Sequence, residues 1–198
     1  MATLLKGSAF LTGAGSGIGR ATALAFAKCG ITRLSLVDHD SSSLAATSKL
    51  IKGAHPSIRI LEHSLDVTDE AKVQAAIAKT ATEFGRIDVA VNIAGISHSG
   101  LTHDSGGDKT DAGTGDAATY APKGIRVNAI CPGWTATPMV ERFQSQFPDE
   151  VRTSVATVPM RRMAEMEEIA DAIVFLGSRM GSFVCGAAVP VDGGFIAI

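Results

Sequence analysis

Thr12-Gly13-Ala14-Gly15-Ser16-Gly17-Ile18-Gly19 follows a short apolar run, Ser8 to Thr12, and leads into a segment with helical spacing, Ile18 to Cys29. Ile18, Ala21, Ala25 and Phe26 fall on one stripe of that helix, and Gly30 stands where a helix ends. A strand, a glycine-rich turn and a helix in this order let a backbone approach a pyrophosphate. The glycines leave room and allow positive φ, and the helix start offers free N–H groups and the positive end of its dipole. The spacing is G-x-x-x-G-x-G, and Gly13, Ser16, Gly17, Ile18 and Gly19 are the candidate phosphate contacts. A plain Gly-rich turn between strand and helix is the competing reading.

The same alternation continues outward. Arg33 to Val37 reads as a second strand and Ser41 to Lys52 as a helix opened by serine caps. Ile58 to Ser64 is a third strand. Thr68 is the expected cap of a helix running to Phe84, with Asp69 and Glu70 at its positive end and Gly85 beyond it. Val89 to Asn92 is a fourth strand. Strands separated by helices of this length imply a parallel sheet with right-handed crossovers, an α/β, Rossmann-like doubly wound fold. Asp38, at the end of the second strand, has two readings. A carboxylate there accepts hydrogen bonds from the ribose hydroxyls of a dinucleotide and repels a 2′-phosphate, which favours NAD over NADP. Alternatively, it caps the next helix from within Asp38-His39-Asp40-Ser41.

The pattern breaks at Ser99 to Thr119, SGLTHDSGGDKTDAGTGDAAT, where Leu101 is the one large apolar residue. Such a stretch buries too little surface to offset its ordering entropy and reads as a flexible linker inside a single domain spanning 1–198. Patterning resumes with a strand at Ile125 to Cys131, a turn at Pro132-Gly133, an amphipathic helix at Glu165 to Leu176 and a last strand at Ala187 to Val191. The net charge of -2 is spread along the chain, which argues against a nucleic-acid partner. No apolar run approaches the roughly 20 residues of a membrane helix, and the first residues carry no signal-peptide pattern. Cys29, Cys131 and Cys185 stand far apart without a C-x-x-C or His cluster. Buried free thiols in a cytoplasmic protein, with no metal site, are therefore expected.

Taken together, Thr12-Gly13-x-x-x-Gly17-x-Gly19, Asp66-Val67, Asn92-Ile93-Ala94-Gly95, Pro132-Gly133 and Asp192-Gly193-Gly194 resemble the short-chain dehydrogenase/reductase family. The resemblance covers about 1–97 and 120–198 and implies an NAD(P)-dependent oxidoreductase. Hydride would move between the nicotinamide and a small alcohol or ketone substrate. It implies that Asp66 and Val67 hold the adenine, and that Asn92, Ala94 and Gly95 pass the cofactor ribose. Gly133 and Thr137 would face the nicotinamide, with Trp134, Met139 and Phe143 in a substrate lid or, equally, in the core. Asp192-Gly193-Gly194 would be structural, near a subunit interface, so a homo- or hetero-oligomer is open.

The family also carries a catalytic Ser and a helix with Tyr-x-x-x-Lys between its N-A-G and P-G motifs. Tyr moves a proton to or from the alcohol oxygen, and Lys on the same helix face lowers the Tyr pKa. In this chain residues 96–124 are all that separate Gly95 from Ile125. Two average helices of about 11–12 residues and a strand of about 5–6 would fill that space before any loop. The expectation is a sheet truncated in the centre, lacking one strand and two helices, with the Ser and the Tyr-x-x-x-Lys segment deleted. Tyr120 and Lys123 are the substitute candidates, but they stand one residue too close, and Pro122 disfavours helix between them. Ser97, Ser99 and Ser105 have no partner at a diagnostic spacing. Three readings of function remain: an impaired or inactive oxidoreductase, a non-catalytic NAD-binding module or partner of a full-length relative, and a product of exon loss or a misread gene boundary.

Overall fold

In the computed structural model, residues 3–95 and 111–197 are described. Their contacts gather into two compact units, Met1–Gly95 with Met166–Arg179, and Ile96–Glu165 with Met180–Ile198.

The first unit is built on β1 (Ser8–Thr12), α1 (Gly17–Lys28), β2 (Arg33–Asp38), α2 (Ser41–Ala54), β3 (Arg59–Ser64), α3 (Glu70–Phe84) and β4 (Val89–Asn92). The strands form one parallel sheet in the order β3-β2-β1-β4. All of β1 and nearly all of β2 are buried, as central strands covered on both faces require. The chain steps one way from β1 to β3 and then crosses back to β4. Right-handed crossovers therefore place α1 and α2 on one face and α3 on the other. On the α3 face Phe10, Val37 and Ala76 pack with Leu65 and Ile87, and Ser35 shares a 2.7 Å hydrogen bond with Thr80. From the far end of the chain α7 (Met166–Gly177) joins this unit and packs along α1, burying Ile169, Ala170, Ile173 and Val174.

Register aligns the strand ends. Thr12 sits beside Val37 and Asn92, and Asp38 beside Ser64. The glycine turn, Asp38, Asp66-Val67 and Asn92–Gly95 therefore all leave the sheet at its carboxyl edge. In sheets of this class ligands bind there, where the strand order reverses between β1 and β4.

Local details depart from the sequence reading at the caps. The cap of α2 is Asp40 rather than a serine, its carboxylate accepting from the N–H groups of Ser42 and Ser43. Asp69, not Thr68, caps α3, because the Thr68 N–H and hydroxyl are both taken by Asp66.

In the second unit β5 (Ala129–Pro132) pairs in parallel with β6 (Ala188–Val191), accompanied by α4 (Asp111–Tyr120), α5 (Pro138–Gln146) and α6 (Pro148–Thr157). The strand expected at Ile125 to Cys131 is shorter. Arg126 and Asn128 instead spend side-chain N–H groups on the Val184 carbonyl. The expected linker at 99–119 is also corrected in part. Residues 99–110 lie outside the described residues, but Asp111–Tyr120 is helical. Ala117 is buried there, its carbonyl 4.0 Å from Cys185 Sγ, so packing orders a segment whose composition alone gives no reason to fold. The cysteines differ from expectation as well: Cys131 and Cys185 are exposed and Cys29 half-buried. Among the described residues no helix is long and apolar enough to cross a membrane.

Candidate dinucleotide site

The chain turns at Gly13 with φ +68°, a left-handed conformation that side chains rarely adopt, and a Cβ there would lie 2.8 Å from the Ala94 nitrogen. Gly19 is required for space: a Cβ would sit 1.9 Å from the Gly13 carbonyl oxygen. The two positions together keep the first turn of α1 pressed against the end of β1. Ser16 is the exposed first cap of α1, and its hydroxyl makes no capping bond. The helix start is thus left with N–H groups for an outside acceptor, which is what a phosphate supplies. Gly17 and Ile18 follow half-exposed, while Gly19 is buried behind them. Thr12 ties the turn to the neighbouring strand end, its hydroxyl oxygen accepting from the N–H groups of Ile93 and Ala94 at 3.0 and 3.2 Å. The sequence reading has Thr12 in the motif but gives it no role, because a bond from β1 to the end of β4 has no local pattern.

Asp38 is 8% exposed and meets the turn directly. Its Oδ2 accepts from the Gly15 N–H at 2.8 Å and its Oδ1 from the Asp40 N–H at 3.0 Å, with His39 Nδ1 3.2 Å from Oδ1. The two readings of Asp38 thereby separate, since Asp40 takes the helix cap and Asp38 stands at the turn.

Past β3, Asp66 is exposed, and its Oδ1 accepts from the Thr68 N–H at 2.9 Å and hydroxyl at 2.8 Å. Val67 is exposed, an apolar side chain beside an acceptor. Asn92, Ala94 and Gly95 are exposed at the end of β4. The sequence-predicted residues of this unit are thus brought to one edge, at the ends of all four strands.

Three carboxylates beside these turns, Asp40, Asp66 and Asp69, are shifted toward their charged form. The Ser42 and Ser43 hydroxyls and N–H groups push Asp40 well below the usual carboxylate range, the Thr68 N–H and hydroxyl lower Asp66, and the Lys72 ammonium lowers Asp69. A folded pKa below the unfolded one gives stability that is complete above about pH 4 and is lost as pH falls through the folded values. Melting temperature should therefore fall modestly between about pH 4 and 2.5, because water screens these carboxylates. Asp40→Asn, which keeps a good cap but cannot titrate, should lose less between those values. Equal losses in the two proteins would contradict the assignment.

The remaining candidates belong to the second unit. Gly133 donates its N–H to the Val191 carbonyl at 3.0 Å, and Thr137 caps α5, its hydroxyl oxygen accepting from the Val140 N–H at 3.3 Å. Trp134 is half-buried, Met139 exposed, and the Phe143 ring lies tilted against that of Phe147, their centres 5.0 Å apart. Asp192 caps the chain's last turn, accepting from the N–H groups of Gly194 and Ile196, a structural arrangement. Tyr120 ends α4, and Ala121–Lys123 form a single 3₁₀ turn. Lys123 Nζ lies 5.2 Å from the centre of the exposed Tyr120 ring, over its face rather than at its hydroxyl. Ser97, Ser99 and Ser105 lie outside the described residues.

Comparison with known proteins bears on the whole chain. The short chain dehydrogenase family model matches residues 8–112, and the enoyl-(acyl carrier protein) reductase model matches residues 115–196. The short-chain dehydrogenase anuF of Penicillium roqueforti is 31% identical over 268 aligned positions, with 98% of this chain and 97% of the relative covered. An alignment longer than a chain of 198 residues leaves the relative with residues that have no counterpart here. Levodione reductase of Leifsonia aquatica is 31% identical, covering 93% of this chain and 92% of the relative. The crystal structure of levodione reductase superposes with a TM-score of 0.86 at 30% identity over 96% and 97% of the two chains. L-sorbose reductase of Gluconobacter frateurii, solved with NADPH and L-sorbose, shares the fold with a TM-score of 0.87 at 24% identity over the full length of both chains. On these matches the chain belongs to the short-chain dehydrogenase/reductase family of NAD(P)-dependent oxidoreductases.

Proposed function

We propose that this chain holds NAD(H) at the carboxyl edge of its four-stranded sheet and that its hydride-transfer chemistry is impaired. The observation that carries the first part is the meeting of Asp38 with Gly15. It sets a carboxylate against the glycine turn, where an adenosine ribose arrives if the pyrophosphate rests on the start of α1. The site fits the cofactor by its own features: the clearance at Gly13 and Gly19, a helix start not closed by Ser16, and a buried carboxylate at its rim. Gly13, Ser16, Gly17, Ile18 and Gly19 would cradle the pyrophosphate, and Asp38 would accept from the ribose. Asp66 and Val67 would receive the adenine, and Asn92, Ala94 and Gly95 would border the second ribose. The resemblance gives the nicotinamide to Gly133 and Thr137. Bound in this way, the nicotinamide would supply or accept a hydride for a small alcohol or ketone. Asp38 also repels a 2′-phosphate, which favours NAD.

Asp38→Asn tests this reading. Removing the charge while keeping the shape should weaken NADH binding about tenfold or more, since hydrogen bonds to charged groups are worth roughly 1.5–3 kcal/mol. NADPH binding should weaken less or improve. A variant that binds both cofactors as the parent does would remove Asp38 from the site.

The second part rests on the proton. Reduction of a ketone needs an acid at the developing alkoxide, and the family's Tyr-x-x-x-Lys is absent: Tyr120 is the only tyrosine, and the nearest following lysine is three positions on. The proposed cause is a deletion between the N-A-G and P-G motifs that removed the catalytic Ser together with this pair. A cofactor-binding module, free or paired with a full-length relative, is what such a deletion leaves. A transcript encoding an intact Tyr-x-x-x-Lys segment would replace this reading with a misread gene boundary.

A further inference from the structure

Gly15 is held from both sides. Its N–H donates to Asp38, and its carbonyl accepts from an Arg20 guanidinium N–H. Arg20 stands half-buried in the first turn of α1 and reaches back over the glycine turn. Its Nε donates to the Thr47 hydroxyl at 3.0 Å, and its Nη2 lies 3.5 Å from the Ser43 carbonyl, so one side chain ties α1, the turn and α2 together. Thr47 is fully buried, its hydroxyl 3.4 Å from the Gly15 carbonyl and 3.2 Å from that of Ser43. A guanidinium presents several fixed donors and stays charged at any working pH, so both its shape and its charge are permanent parts of this turn.

Asp38 and Arg20 thus lie one residue's backbone apart, inside the roughly 8–10 Å over which charges remain coupled at physiological salt. The other charged groups at this place are accounted for: Asp40 is committed to Ser42 and Ser43, and His39 sits exposed against Asp38 Oδ1. Building on the cofactor reading above, we infer that Arg20 is a specificity-determining residue of the dinucleotide site. Its charge partly offsets the repulsion of a 2′-phosphate by Asp38, so the choice between NADH and NADPH is set by the Arg20–Asp38 pair across Gly15 and not by Asp38 alone. Asp38 still favours NADH, but the discrimination is narrower than an isolated carboxylate would give. The same side chain holds the turn in shape, which serves both cofactors equally.

The two roles separate by substitution. Arg20→Gln removes the charge and keeps hydrogen-bonding capacity. Arg20→Lys keeps the charge and loses the fork, and Thr47→Val keeps the charge and removes the hydroxyl that the fork grips. Isothermal titration of the full chain with NADH and with NADPH gives a ratio of affinities for each protein. In Arg20→Gln the ratio should move toward NADH by about threefold to tenfold, the size expected of one charge acting across a partly solvated site. In Arg20→Lys and Thr47→Val both cofactors should weaken while the ratio stays within about twofold of the parent. Arg20→Met, which keeps the packing of the stem, takes the place of Arg20→Gln if that variant melts below the assay temperature. An unchanged ratio in the charge-removing variant, with a parent that binds, overturns this inference and leaves the cofactor site standing. A folded parent that binds neither dinucleotide overturns the cofactor reading and this inference together.

Discussion

Gly19→Ala should abolish measurable binding of NADH while the protein still folds. The added carbon would lie 1.9 Å from the Gly13 carbonyl oxygen, a backbone atom that cannot swing aside as a side chain can. Either the first turn of α1 lifts away from β1 or the glycine turn flattens. Both displace the N–H groups that the pyrophosphate needs. Charge-assisted hydrogen bonds are each worth roughly 1.5–3 kcal/mol, so losing two of them lowers affinity by a factor of about a hundred or more. Forcing the extra carbon into a closely packed turn also costs the fold on the order of 1–3 kcal/mol, seen as a drop of several degrees in melting temperature. Gly53→Ala is the matched control: near the end of α2, its added Cβ would meet no atom within 4 Å beyond its chain neighbours and the local helix backbone. It should bind as the parent does and melt at the same temperature or slightly higher. Binding by Gly19→Ala at the parent's affinity would mean that the turn is not where the phosphates rest.

Turnover should fall about 10²–10⁴-fold below that of a relative carrying the family's Tyr-x-x-x-Lys when each is given NADH and a panel of small ketones, followed by nicotinamide absorbance. General acid catalysis contributes typically 10²–10⁴-fold, and the family's acid is absent at its spacing. Tyr120→Phe should change any residual rate by less than about twofold. The reason is local: the Lys123 ammonium sits over the ring face of Tyr120, and a 3₁₀ turn through Pro122 replaces the helix that would present the two side chains together. A rate that collapses in Tyr120→Phe would instead give the pair the acid/base role despite its spacing.

The parts of this molecule that can be read from sequence are those fixed within a few residues. β1, the glycine turn and α1 were legible because a buried strand, a run of close glycines and a helical stripe adjoin one another. Val89–Asn92 and Ser8–Thr12 were found to the residue. Asp38 was legible as a candidate, but setting its helix-cap reading aside needed the geometry, because Asp38 and Asp40 are equally good caps on paper. Helix starts were misread where two capping residues compete, as Asp66 does for Thr68. Helix α4 was hidden because Ala117 is ordered by packing near Cys185, a partner far along the chain. Long-range bonds left no trace either. Thr12 holding the end of β4, Arg20 gripping Thr47, and α7 returning to cover α1 all join residues whose spacing carries no period.

The most direct measurement is a titration of the purified 198-residue chain with NADH, followed by nicotinamide fluorescence and repeated with NADPH, on a sample whose circular dichroism shows a folded α/β protein. Saturable binding that is tighter for NADH is the predicted result. A folded sample with no saturable binding of either dinucleotide would contradict a cofactor site at the carboxyl edge of the sheet.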